Sequence, residues 1–146
     1  MFKFILAAAL TVASTATMAD GMPVAAAPPA PRLLLHNGSL MQLAVLPGGR
    51  IEIQYAQPRP GLWEIGVRPG TVLLRGQWSG GVLNAEARVF AGACGAPVYP
   101  VTGGINADGV LVLSGPAPLV DPWTCVVYGY AWTSNSTLTF FPTNGA

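Results

Sequence analysis

The chain predicts an all-β fold, a small antiparallel barrel or sandwich of about eight short strands with one helical turn. Three observations carry this. Short apolar or alternating runs recur along the sequence. Turn-forming clusters rich in glycine and proline separate them; the chain holds 18 Gly and 14 Pro. One run alternates cleanly: Leu83, Ala85, Ala87 and Val89 share one face, and Asn84, Glu86 and Arg88 share the other, as in a strand with one face in a core and one in water.

The first nineteen residues stand apart. Met1-Phe2-Lys3 is a short positive start, Phe4 to Val12 is an apolar run with one Thr, and Thr17-Met18-Ala19 ends it with small residues at the positions read in cleavage. That is the layout of a secretory signal peptide. The run is too short for a transmembrane helix, which takes about 20 apolar residues. The mature chain is expected to begin at Asp20, or at Thr17 if cleavage follows Ala16. Cys follows neither cut, so a lipoprotein anchor is not indicated. Residues 20–31, DGMPVAAAPPAP, read as a Pro/Ala-rich tether. Residues 32–146 are expected to form a single β domain, long enough to bury roughly 65% of its unfolded surface.

From Arg32 the chain reads as strands and turns. Ser39 to Leu46 is mostly apolar and meets Pro47-Gly48-Gly49; Ile51, Ile53 and Tyr55 then alternate with Glu52 and Gln54, completing a first hairpin. A helical turn is expected from about Pro60 to Ile65, with Gly66 as its left-handed end and Val67 packing back over it. Thr71 to Trp78 and Val82 to Ala91 form a hairpin around Ser79-Gly80-Gly81. Val98 to Ile105 follows, bent at Gly103-Gly104. Asn106-Ala107-Asp108-Gly109 is a turn, with Asp-Gly its strongest signal, and Val110 to Ser114 returns. Thr124 to Trp132 and Thr137 to Phe141 complete the set. A membrane-spanning barrel fits less well. Most of these strands are shorter than the ~9–11 residues a span needs, and the clearest one carries charges on its outer face.

Composition excludes some functions. The chain carries seven Lys+Arg and six Asp+Glu. Lys3 is its one lysine, so removal of the signal peptide leaves a balanced charge. A nucleic-acid-binding surface is normally a basic patch or stripe, and the six arginines here are interleaved with Glu52, Glu64 and Glu86. No cofactor motif occurs. Asn106-x-Asp108-Gly109 is similar to the middle of a calcium loop, but Gly104 and Gly115 stand where its first and last ligands belong, so no metal is expected. The two cysteines, Cys94 and Cys125, are expected to form a disulfide in an exported chain.

The catalytic inventory is thin. His36, the one histidine, sits in His36-Asn37-Gly38-Ser39, where it is expected to bond its ring into the Asn-Gly turn. No Gly-x-Ser-x-Gly elbow occurs, and no two of Glu52, Glu64, Glu86, Asp108 and Asp121 are aimed at one place by the pattern. No catalytic residue is assigned. A small secreted hydrolase using His36 or a carboxylate pair is the alternative reading, and a structural subunit of an envelope assembly is another.

One constellation suits a surface. Over 124–132, Thr124, Val126, Tyr128, Tyr130 and Trp132 share one strand face, while Cys125, Val127, Gly129 and Ala131 share the other. Placing the disulfide side inside leaves Tyr128, Tyr130 and Trp132 outside. Aromatic rings with polar tips suit a sugar ring or a protein partner. Trp63, Trp78 and Trp123 are candidates to extend the patch.

Four stretches carry a resemblance. They are His36-Asn37-Gly38-Ser39; Ile53-Gln54-Tyr55 with Pro58-Arg59-Pro60-Gly61-Leu62; Gly66-Val67-Arg68-Pro69-Gly70-Thr71 leading into Val72-Leu73-Leu74; and Cys94-Gly95 with Tyr99-Pro100-Val101-Thr102-Gly103, Gly115-Pro116-Ala117-Pro118 and Cys125. In these the chain resembles a group of small exported bacterial proteins without an assigned activity. The resemblance implies a small β domain with a cysteine pair and implies no activity. The expectation from the whole sequence is an exported, periplasmic or extracellular, non-catalytic binding or inhibitor-like module. Its partner would be a protein or glycan of the cell envelope.

Overall fold

A computed structural model describes residues 31–143. The expected signal peptide, the tether up to residue 30, and residues 144–146 lie outside the described residues. The described residues form ten strands: β1 (Arg32–His36), β2 (Ser39–Leu46), β3 (Arg50–Gln57), β4 (Val72–Ser79), β5 (Val82–Arg88), β6 (Val98–Ile105), β7 (Leu111–Ser114), β8 (Ala117–Val120), β9 (Val127–Ala131) and β10 (Thr137–Pro142). Eight of them close an antiparallel barrel in the order β1-β10-β7-β6-β5-β4-β3-β2. β8 and β9 pair only with each other, as a separate two-stranded ribbon. The fold is therefore all-β and the barrel form of the two expected architectures.

Alternation builds the barrel wall. Residues directly opposite in neighbouring strands share a face, so the register fixes which side chains point inward. Ile53 faces Leu43 and Leu74, Leu83 faces Trp78 and Gly103, and Leu113 faces Gly103 and Leu138. Met41, Ile53, Leu74, Leu83, Leu113 and Phe140 are fully buried and fill the middle of the barrel. An eight-stranded barrel is just wide enough for such a filling. The outer wall carries a polar ladder across β3, β4 and β5, where Glu52 opposes Arg75 and Arg75 opposes Glu86. The Arg75 Nε–Glu52 Oε2 distance is 2.8 Å. Across β1 and β10 the outer wall is apolar, with Leu33, Leu35 and Phe141 exposed. Among the described residues no helix is long and apolar enough to cross a membrane.

Two glycines are required by close approach. A Cβ on Gly103 would fall on the Val112 carbonyl oxygen of β7, and one on Gly115 would fall on the Pro100 carbonyl oxygen of β6. The expected bend at Gly103-Gly104 is thus a place where β6 and β7 press together, with β6 continuous through it.

Several expected elements change length. The helical turn is a single 3-10 turn, Leu62–Ile65, closed by Gly66 in the left-handed conformation. Val67 donates its N–H back to the Leu62 carbonyl and is fully buried, as the sequence indicates. Two further 3-10 turns, Pro47–Gly49 and Gly92–Cys94, fall in connections. The Asn106–Gly109 turn forms as expected, with Asn106 Oδ1 accepting from the N–H groups of Asp108 and Val110. The expected strand 124–132 is corrected: its strand part is only 127–131, and it lies outside the barrel wall. The eighth strand of the wall is instead β1, which pairs with β2 on one side and β10 on the other.

The two ends of the barrel differ. At one end lie the β2–β3, β4–β5 and β6–β7 connections, with Pro31 and Thr143. At the other lie the β1–β2 turn, the Leu62–Ile65 turn, the Gly92–Cys94 turn and the excursion 115–136 that carries the ribbon. That excursion leaves and rejoins the wall at one point, because Ser114 opposes Thr137 and Gly115 N–H donates to the Ser136 carbonyl.

Candidate functional site

The ribbon is a feature added to a barrel that closes without it. Its connecting turn is organised by Asp121. The Asp121 Oδ1 accepts from the backbone N–H groups of Trp123 (2.9 Å) and Thr124 (2.8 Å). Those bonds hold its carboxyl below the usual carboxylate range. The Asp121 carbonyl takes the Cys125 N–H, and the Val126 carbonyl takes the Asp121 N–H. Cys125 itself is in the left-handed region, φ 59°.

That conformation ends the alternation used to place the aromatic row. Thr124 and Val126 belong to the turn and not to a shared strand face. The parity argument from Cys125 therefore does not run through a continuous strand. Tyr128 and Tyr130 still share a face, since both lie within β9, and Trp132 follows directly after it. Tyr128 is 67%, Tyr130 59% and Trp132 68% exposed. Trp123, in the Asp121 turn, is 91% exposed and adds a fourth ring to the ribbon.

The disulfide Cys94–Cys125 spans 5.0 Å between Cα atoms and joins this turn to the Gly92–Cys94 turn between β5 and β6. It fastens the tip of the ribbon to the barrel. The base is held separately. The Tyr99 hydroxyl, from inside the barrel, donates to the Asn135 carbonyl, and Ser136 Oγ donates to the Ala131 carbonyl while accepting the Thr133 N–H. A groove of about 370 Å³ runs between ribbon and barrel, lined by Tyr128, Pro118 and Leu119 on one side and Val89, Ala91 and Cys94 on the other.

The other tryptophans divide. Trp63 is exposed on the Leu62–Ile65 turn at the ribbon's end of the barrel, with the Arg68 guanidinium 4.4 Å from its ring centre. Trp78 is half-buried at the opposite end and does not extend the row.

His36 and two of the candidate carboxylates are engaged in structure. His36 is buried inside the barrel, its ring stacked on Phe140 with centres 4.6 Å apart. Nδ1 lies 2.9 Å from the Thr139 carbonyl, and Nε2 lies 3.4 Å from Asn37 Nδ2. Donation from Nδ1 to the carbonyl leaves Nε2 to accept from the amide, a consistent neutral tautomer. Burial lowers the His36 pKa from 6.5; the bond to Thr139 opposes this and the Arg59 charge adds to it. The ring thus reaches across to β10 as well as into its own turn. Ser39 Oγ, close in sequence, accepts the Arg59 N–H at 2.9 Å. Tyr55, below them, is pushed up to about 12 by burial, with Arg59 opposing. Among the carboxylates, Glu52 is paired with Arg75 and Asp121 caps its turn.

No family model matches this chain, and no curated protein or solved structure matches it.

Proposed function

We propose that the chain is an exported, non-catalytic binding module of the cell envelope, and that Tyr128, Tyr130, Trp132 and Trp123 on the ribbon meet a protein or glycan partner. The observation that carries this reading is the exposure of four large aromatic rings on one disulfide-fastened excursion. Such rings offer large contact area at low conformational cost, with hydroxyl and indole N–H groups to fix orientation. The fastening matters for the same reason: a ribbon held at its tip and its base loses less freedom when it binds.

Export is supported by the layout of residues 1–19 and by the disulfide, a bond of oxidising compartments. The non-catalytic reading is supported by the engagement of His36, which uses both ring nitrogens inside the core. The test is capture from envelope extracts by the exported chain and by its Tyr130→Ala and Trp132→Ala variants. Loss of a captured protein or glycan in the variants supports the reading. Capture unchanged by both substitutions removes the row as the binding site. Activity abolished by His36→Gln in a folded protein would favour the hydrolase instead.

A further inference from the structure

Among the described residues, the barrel end opposite the ribbon is open, and its chemistry is specific. Val45 opposes Ile51, and Ile105 opposes Leu111. Ile51 and Leu111 are buried inward, so Val45 and Ile105 point inward too. Both are nevertheless exposed, so no described residue fills the space between the strands there. That space is a cup of about 730 Å³. Leu34, Ile51 and Phe140 lie along its buried floor and Trp78 on its wall. Its volume is in the range of ~300–1,000 Å³ usual for small-molecule sites. Eight-stranded barrels that are not filled to the end hold one small ligand in this way.

One charge marks the cup. Arg32 opposes Leu43, which puts it on the inward row with Leu34 at the rim. Among the described residues it is the one charged residue lining the cup, and it makes no salt bridge with any of them. Asp108 lies in a turn at the same end but does not line the cup.

We infer that the cup binds a single-chain anionic amphiphile, a free fatty-acid-type carboxylate. Its tail lies against Val45, Trp78 and Ile105, and its head lies on the Arg32 guanidinium. A carboxylate matches the guanidinium fork, and an apolar tail removes exposed Val45 and Ile105 from water. The site shares no residue with the aromatic row and stands or falls apart from it.

The probe is 11-bromoundecanoate, whose bromine quenches a nearby indole, with 11-bromoundecanol as its uncharged counterpart. Titration of the exported chain should quench tryptophan fluorescence saturably, with one site per chain by calorimetry. Trp78→Phe should remove the quench while calorimetric binding persists. Arg32→Gln, an exposed substitution, should weaken the carboxylate about tenfold or more and change the alcohol less than about twofold. Val45→Trp should block both ligands by filling the cup, with an unchanged melting temperature showing that the barrel is intact. The inference is overturned by any of three results. The first is no saturable binding of either ligand, as when residues 20–30 or a second copy occupy the cup. The second is equal carboxylate affinity with and without Arg32. The third is a quench that survives Trp78→Phe. Binding to phosphatidylglycerol vesicles without binding of the free carboxylate would also overturn it.

Discussion

The barrel and the ribbon are built from similar short strands but by opposite rules. In the barrel, each strand sends its apolar row inward, and residues such as Ile53, Leu83 and Phe140 lose all contact with water. In the ribbon, two strands pair only with each other, and the largest side chains stay in solvent. A two-stranded sheet alone is marginally stable in water. The ribbon is therefore held by what lies at its two ends, the Cys94–Cys125 bond and the contacts of Asn135 and Ser136. The difference teaches where to look for function. Side chains that hold the barrel together are spent on packing, whereas the ribbon's rings contribute little to stability and are available to a partner.

The comparison is broken most readily from the barrel side. Phe140→Ala should cost about 3–5 kcal/mol, since it removes a fully buried ring and the surface on which His36 stacks. Denaturant unfolding measures it, and a cost below about 1 kcal/mol would mean the barrel interior is not the core. Cys94→Ala with Cys125→Ala should cost roughly 3–4 kcal/mol in the chain-entropy view. Hydrogen exchange should then rise more in β9 than in β3 or β5; uniform acceleration would mean that ribbon and barrel open as one unit.

A smaller effect sharpens the account of the barrel's polar interior. The folded chain holds His36 below 6.5, so the unfolded chain takes up a proton that the native one resists. The stability it contributes is present above pH 6.5 and is lost as pH falls below that value toward the native one. Unfolding measured between pH 7 and 5 should fall less steeply in His36→Gln than in the parent chain. Equal slopes would mean that the buried ring is already free to protonate. The smallest stability effect belongs to the ribbon: replacing Tyr128, Tyr130 and Trp132 together by Ala should shift stability by no more than about 0.5 kcal/mol per residue.

Much of the barrel was legible because its strands obey period two and its turns carry their own signals. β3, β5 and the Asn106–Gly109 turn follow the pattern closely. The Val67 return over its turn was legible for the same reason, since Gly66 marks the end of a helical turn. β1 was not singled out, because Leu33-Leu34-Leu35 is apolar on both faces and shows no alternation. Its one signal is the Asn37-Gly38 pair, both with positive φ, which makes the two-residue turn between His36 and Ser39. β8 lies between Gly115-Pro116 and Asp121-Pro122, with Pro118 inside it, a composition that argues against a strand in a continuous sheet. It is a strand because the ribbon has only one ladder to satisfy. The exposure of Tyr128, Tyr130 and Trp132 followed from a parity argument that Cys125 interrupts. The rings are outside because the ribbon is not part of the wall. The open cup was not visible in sequence, since Arg32, Val45, Trp78 and Ile105 are brought together only by closure of the barrel.

The central claim is that the ribbon's aromatic rings form the binding face of the molecule. The most direct measurement is capture from envelope extract, with proteins and glycans quantified separately, by the parent chain and by the Tyr128→Ala/Tyr130→Ala/Trp132→Ala variant. The account predicts a partner enriched by the parent chain and reduced at least about tenfold by the variant, with both chains folded at the temperature of capture. Equal enrichment by both chains would contradict it.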